Sequence, residues 1–331
     1  MKRSKVIFQI LFISVILTLA VTGCAKDEKS SATSGTSGAV TSEYKFASGG
    51  KTGTYYPLAQ AVADLENKEL SLNISVLETG GSVDNIQRIS DKTAKFAFVQ
   101  NDVLDYAYNG AELFKDKPKL NNFSAVCALY PEFVQIVVSK DSDIHSVGAL
   151  SGKRVSVGAK DSGVEVNAMQ ILSASAIDLS TIEIFHYNFK ESAEALKNGE
   201  IDAFFVVSGV PNQSIIELSQ SKPIDLLNID PVVYDALTSK YTFYKKADLP
   251  KEVYNTQENV NTVSVISVLV CSNDMSEEEI YNFTKTFYSN LSKLGQAHEK
   301  AKSFTLTGAK NGVTIPFHPG AAKYLKEMNI K

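Results

Sequence analysis

The sequence predicts an α/β protein of two lobes, and three observations carry that reading. Apolar runs of strand length alternate with stretches of helical period along most of the chain, which calls for mostly parallel sheets flanked by helices. From about Tyr44 onward the chain is long enough for two lobes of ordinary domain size. No fixed short repeat is visible, which argues against a solenoid.

The first element is not part of the fold. Lys2-Arg3-Ser4-Lys5 precedes an apolar run from Val6 to Val21, and Val21-Thr22-Gly23-Cys24 follows. A basic start, an apolar core and small residues before a cut describe a secretory signal over residues 1–23. The run is short for a bilayer span of about 20 residues. Cys24 after Val-Thr-Gly resembles the lipobox of bacterial lipoproteins, in which that cysteine is acylated. Residues 24–43 are small and polar and read as a flexible tether. No later stretch is apolar for long enough to span, so the lipid at Cys24 is the expected anchor.

Composition narrows the function classes. Removing Lys2, Arg3 and Lys5 takes the formal charge of −4 to −7, and no basic patch argues for nucleic acid. The four histidines show no metal-ligand spacing, so neither a metal nor a cofactor is expected. Cys127 and Cys271 each lie in an apolar strand-like run. They read as buried free thiols or as half-cystines paired across lobes, and the apolar setting favours thiols.

The chain then opens on its central stretch, Phe46 to Leu58, in which a strand passes through Gly49-Gly50-Lys51-Thr52-Gly53 into a helix ending near Asn67. Glycines let backbone approach a ligand, and first-turn amides without intrahelical partners face it with the positive end of the helix dipole. The stretch is not a P-loop, because Lys45 stands where the first glycine belongs, and no G-x-G-x-x-G spacing fits. Strands are predicted at Ser71–Leu77, Phe96–Val99, Phe123–Tyr130, Phe133–Ser139, Val155–Gly158, Ile182–Tyr187, Ile201–Val207 and Val263–Ser272. Helices are predicted at Ser82–Ser90, Asp102–Tyr108 (closed by Gly110), Gly163 to about Ala176, Glu191–Lys197 (closed by Gly199) and Ser276–Leu294. In the last, Ser276 and Glu279 stand in capping-box spacing, and Ile280, Phe283, Phe287 and Leu291 form a packing stripe.

Two further glycine turns precede helices: Thr79-Gly80-Gly81-Ser82 and Asp161-Ser162-Gly163. Ligands of open α/β sheets sit outside the carboxyl ends of the strands. Three helix N-termini are therefore expected to converge on one cleft, a setting that binds carboxylates without a full set of buried cations.

These residues resemble the TAXI family, the solute receptors of one branch of tripartite ATP-independent periplasmic (TRAP) transporters. The resemblance rests on Gly50-Lys51-Thr52-Gly53-Thr54-Tyr55-Tyr56-Pro57, on Thr79-Gly80-Gly81-Ser82 with Asn85, and on Gln100 with Asp102. It continues through Ala128-Leu129-Tyr130-Pro131-Glu132, Leu150 to Gly158, Asn198 to Phe204, Gly209-Val210-Pro211 and His318 to Tyr324. Val164 departs from the usual threonine and Ala59 from a common glycine. The resemblance implies a class II periplasmic-binding-protein fold, with lobe 1 at residues 44–132 and 272–331 and lobe 2 at 133–271. It implies a monomer that captures a small organic anion or amino acid, glutamate-like above all, closes by a hinge and delivers to a membrane permease. Expected ligand contacts are Gly53, Thr54, Tyr55, Tyr56, Gly81, Ser82, Asn85, Gln100, Asp102, Ser162, Gly163, Glu165 and Ser208. Asp102 or Glu165 would hold an ammonium; Glu165 also reads as a carboxylate complementing the helix dipole. Lys51 is expected to face solvent. A sensor lipoprotein feeding a signalling receptor is the alternative. An enzyme on the same fold is less favoured, since no G-x-S-x-G or metal set is present.

Overall fold

The computed structural model describes residues 43–330. The signal segment, the tether and Cys24 lie outside the described residues. The elements are β1 Tyr44–Ala47, α1 Tyr55–Leu70, β2 Ile74–Leu77, α2 Ser82–Ser90, β3 Phe96–Gln100, α3 Asn101–Asn109 and β4 Phe123–Ser139. Then come β5 Arg154–Ser156, α4 Gly163–Ala174, β6 Glu183–Phe185, α5 Phe189–Asn198, β7 Ala203–Ser208, α6 Gln213–Ser221 and β8 Ile224–Leu226. The chain finishes with α7 Pro231–Lys240, β9 Lys245–Leu249, β10 Val260–Ser272, α8 Glu277–Ser289, α9 Leu291–Ala297 and α10 Pro319–Glu327. Among the described residues no helix is long and apolar enough to cross a membrane.

The strands follow the order β2-β1-β3-β10-β4-β7-β5-β6 in one curled sheet. Each end is a parallel triplet, β2-β1-β3 in the first lobe and β7-β5-β6 in the second. Between them β10 and β4 run antiparallel to each other and to their neighbours. Each lobe thus has the expected parallel pairing, and the two crossing strands make the sheet as a whole mixed. The reason is the chain path: parallel neighbours need helical crossovers, whereas two long strands crossing between lobes in opposite directions pair antiparallel.

Sequence punctuation explains most boundaries. Gly110 and Gly199 take the left-handed conformation that closes α3 and α5. Ser276 and Glu279 form the expected capping box, and Asn188 with Glu191 forms a second one at α5. Pro131, expected to separate two strands, sits inside a single β4. It pairs opposite Ile266 beside a register shift, a position that tolerates a missing amide. The expected helix Ser276–Leu294 breaks at Asn290, whose backbone leaves helical angles and whose side-chain Nδ2 donates to the Thr286 carbonyl at 2.8 Å.

Three clusters of apolar side chains hold the layers. One packs α1, α8 and α10 on β1 and β3, and there Phe283 stacks on Phe96 with ring centroids 4.7 Å apart. Ile280, Phe283 and Phe287 of the expected stripe are buried in it. The second continues from Val99 and Val103 through Val134 and Ile136 to Ile171, so one core runs under both lobes. The third seats α5 and α6 on β4 and β7. Cys127 and Cys271 are buried free thiols.

Candidate functional site

Three strand-to-helix loops meet at the carboxyl ends of β1, β2 and β5. A side-chain carbon on Gly80 would lie 3.0 Å from the Lys160 carbonyl of the other lobe, and one on Gly81 3.4 Å from Ser162. The Asp84 amide donates to the Asp161 carbonyl at 3.1 Å. Gly81 holds φ +119°, a region costly for any side chain. A side-chain carbon on Gly163 would overlap the Gln100 carboxamide oxygen and approach Ser82 Oγ to 3.1 Å. Only glycines allow this approach.

The cavity between these loops leaves about 70 Å³ for the centres of water-sized groups. At about 10–15 Å³ per water, that suits a solute of a few heavy atoms. Gly53, Thr54 and Tyr55 line it from the start of α1, and Gly81 and Ser82 from the start of α2. Gln100 lines it from the end of β3, Ser162 and Gly163 from the start of α4, and Ser208 from the end of β7. The starts of α1, α2 and α4 thus line one space, where the positive ends of three helix dipoles gather. Val164, where the resembled family has threonine, adds an apolar wall.

The hydroxyls are largely engaged with the protein. Ser162 Oγ accepts from the Glu165 amide at 3.0 Å and caps α4. Ser82 Oγ accepts from the Gln100 amide at 3.1 Å. Ser208 Oγ donates to the Gly209 carbonyl at 3.1 Å and accepts from Asn212 Nδ2 at 3.2 Å. Backbone amides are therefore the freer donors for a ligand.

Four expected contacts lie outside the lining. Tyr56 is partly exposed beneath Lys51, whose Nζ lies 5.9 Å from its ring and 3.3 Å from Glu78; Lys51 faces solvent, as expected. Asn85 is buried and braces the first two loops: its amide donates to the Ser48 and Phe98 carbonyls at 2.6 and 2.8 Å. Glu165 accepts from the Asp161 amide at 2.8 Å and lies 2.9 Å from His186 Nε2, which fixes the third loop. Asp102 is fully buried and accepts from the Val103 amide at 2.8 Å and from Asn167 Nδ2 at 2.6 Å. Burial pushes its carboxyl up to about 6 although these donors pull it down.

Asp102 instead belongs to a bridge between lobes. Asn167 of α4 accepts from Gln100 Nε2 at 3.0 Å and also donates to Tyr244 Oη at 2.8 Å. Tyr244 donates to Gln170 at 2.6 Å, and Gln170 donates to Tyr106 at 3.2 Å. Every member is buried, so each bond counts more than it would in water.

Two residues absent from the expected contacts matter. Phe189 at the start of α5 lies against Gly53, 3.3 Å from where its side chain would begin. Glu132 on β4 lines the cavity at 2% exposure and accepts from Tyr55 Oη at 2.8 Å and Tyr130 Oη at 3.4 Å. Burial pushes its carboxyl up to about 8. A carboxylate within an apolar strand-like run was the available signal. Among the described residues no group of three or more His, Cys, Asp or Glu is placed to hold a metal.

Known structures share this fold. A Prochlorococcus marinus protein, PhnD1, determined with methylphosphonate, superposes with TM-score 0.53 at 9% identity, covering 87% of this chain and 99% of its own. A protein from Bordetella bronchiseptica gives 0.50 at 17%, covering 87% and 89%. The alkanesulfonate-binding protein SsuA from Xanthomonas axonopodis, bound to MOPS, gives 0.48 at 12%, covering 86% and 83%. In sequence, residues 46–328 match one family throughout. The chain belongs to the NMT1-like family.

Proposed function

We propose that this protein is an extracytoplasmic solute receptor of the TAXI type. It would capture a small organic acid or amino acid, glutamate-like above all, and deliver it to an ion-gradient-driven TRAP permease. The observation that carries the reading is the convergence of three helix N-termini, drawn from both lobes, on one cavity of solute size. Amides at helix starts hold oxyanions without a buried cation. A cavity walled by two lobes also lets hinge closure bury the ligand. The structural neighbour determined with methylphosphonate fits an acid-binding reading. The proposal includes lipid anchoring at Cys24, action as a monomer and binding without turnover.

The test is thermal denaturation of the refolded, ligand-stripped chain across amino acids, dicarboxylates and 2-oxo acids. A ligand at a hundred times its Kd stabilises by about 2.7 kcal/mol, a shift of several degrees. No shift with any acid in a folded sample removes the glutamate-like assignment. Uptake in vesicles that needs ATP and ignores the ion gradient removes the TRAP assignment.

A further inference from the structure

The cavity lining offers both donors and acceptors. The donors are the helix starts described above. The acceptors are the Glu132 carboxyl and Gln100 Oε1, each on a residue 2% exposed, with Oε1 lying against Gly163 at the start of α4. Gln100 Oε1 has no hydrogen-bond partner, although Nε2 of the same amide is held by Asn167. Gln100 pairs with Ser267 and Glu132 with Val265 across β10, two residues apart, so both side chains belong to one face of the sheet. No basic side chain forms an ion pair with Glu132 among the described residues. Lys300 turns its Nζ to the Val210 carbonyl at 2.7 Å.

Resting on the solute-receptor reading, we infer that Glu132 and Gln100 Oε1 form the seat for the ligand's ammonium group. The cavity then selects α-amino acids over acids that lack the amine. The Gln100 oxygen lacks a donor, the Glu132 carboxyl has lone pairs beyond those its two tyrosines use, and an ammonium supplies three donors. Its carboxylate meets the helix-start amides. The role expected of Asp102 or Glu165 thus passes to Glu132, because neither of the former lines the cavity.

The groups that face Glu132 set a pH dependence. They are Tyr55 of α1, Tyr130 of its own strand, Asp102 at the start of α3, and Lys300. Burial and Asp102 disfavour its charge, while the tyrosine donors and Lys300 favour it. The empty cavity therefore holds Glu132 protonated near neutrality, and an arriving ammonium expels that proton. Affinity for an amino acid rises with pH below about 8, by up to about tenfold per unit. A neutral Glu132 donating to an anion would give the opposite slope.

The experiment measures Kd by calorimetry on the full chain for three matched pairs: L-glutamate and 2-oxoglutarate, L-leucine and 4-methyl-2-oxopentanoate, L-alanine and pyruvate. For the pair that binds, the amine is expected to win by 100-fold or more, since a site built for a donor rejects the analogue without it. Glu132→Gln is expected to cut that preference below tenfold and flatten the pH profile. Tyr55→Phe keeps the carboxyl but removes one donor to it, so the pH midpoint should move upward, which serves if Glu132→Gln does not fold. An oxo acid binding as tightly as its amine overturns the inference and leaves the receptor reading standing. So does an amine preference that survives Glu132→Gln, or an unmoved profile in Tyr55→Phe. Binding of none of the six by a folded chain overturns the inference, and the wider acid panel then decides the receptor reading.

Discussion

Replacing Gly163 with alanine adds one methyl group where the two lobes touch. Gly163 is the first residue of α4 and carries no positive φ, so its backbone accepts alanine, and helix propensity even favours it. The cost lies across the gap. The new carbon would overlap Gln100 Oε1 and stand 2.5 Å from Gln100 Cδ and 3.1 Å from Ser82 Oγ. Gln100 is 2% exposed, and its Nε2 bond to Asn167 at 3.0 Å fixes the amide. Making room by swinging the amide leaves Asn167 Oδ1 without its donor, at about 1–3 kcal/mol. Overpacking adds about 1–3 kcal/mol. Separation of the lobes relieves both, so the penalty falls on the closed form. A cost of about 2–6 kcal/mol weakens ligand binding by about 30- to 20,000-fold. Small-angle scattering at a ligand concentration that closes the wild type is expected to give the variant a larger radius of gyration, and calorimetry the weaker Kd. A variant that binds as tightly as wild type with unchanged scattering, and gains stability as a helix start would, refutes the contact.

Three other outcomes are expected. Glu66 of α1 is fully buried with neither oxygen partnered, and burial first, then Glu69, push its carboxyl up to about 9. Because the folded value lies above the unfolded one of about 4.3, the unfolded chain loses the proton first, and stability falls as pH rises from about 4 to about 9. Glu66→Met should gain about 3 kcal/mol at pH 7 and flatten that dependence in urea titrations at pH 5, 7 and 8.5. Ser276→Ala removes the Oγ that accepts from the Glu279 amide at 3.2 Å, and should cost about 1 kcal/mol in the same assay while Ser276→Asp largely restores it. Cys127 and Cys271 are fully buried, and burial pushes the Cys127 thiol up to about 12. Neither should react with a thiol reagent until denaturant is added; fast labelling of the folded chain would contradict the packing.

The glycine loops were legible because they are local. Strand, turn and helix start fall within a dozen residues, and Gly80, Gly81 and Gly163 announce backbone that must come close to something. Helix ends at Gly110 and Gly199 and the capping box at Ser276 were legible for the same reason. The stretch from Gln213 to Leu249 was not assigned. Its two strands, β8 and β9, are short edge strands that pair with the ends of β4 and β10, and α7 buries only Val233 and Leu237. Periodicity has little to register there. Continuity of β4 through Pro131 was also hidden, since a proline inside a strand is tolerated only where a partner supplies the irregularity, and β10 lies far along the chain.

Asp102 shows why site chemistry resists reading from local sequence. A carboxylate two residues after a strand-end glutamine looks free to meet a ligand, but its partner is Asn167, 65 positions away and in the other lobe. Placed there, Asp102 belongs to the closed form rather than to the ligand. Gln100 stands on the boundary between those two roles. Its Nε2 is held across the lobes by Asn167, and its Oε1 is left over for whatever occupies the cavity. Under the reading proposed above, a donor bound at Oε1 orients the same planar amide whose other end joins the lobes. Ligand then binds the closed arrangement better than the open one, and that difference is all a ligand needs to drive closure. A charged bridge at this position would hold the lobes together without ligand. An amide that is half committed leaves closure conditional on the solute.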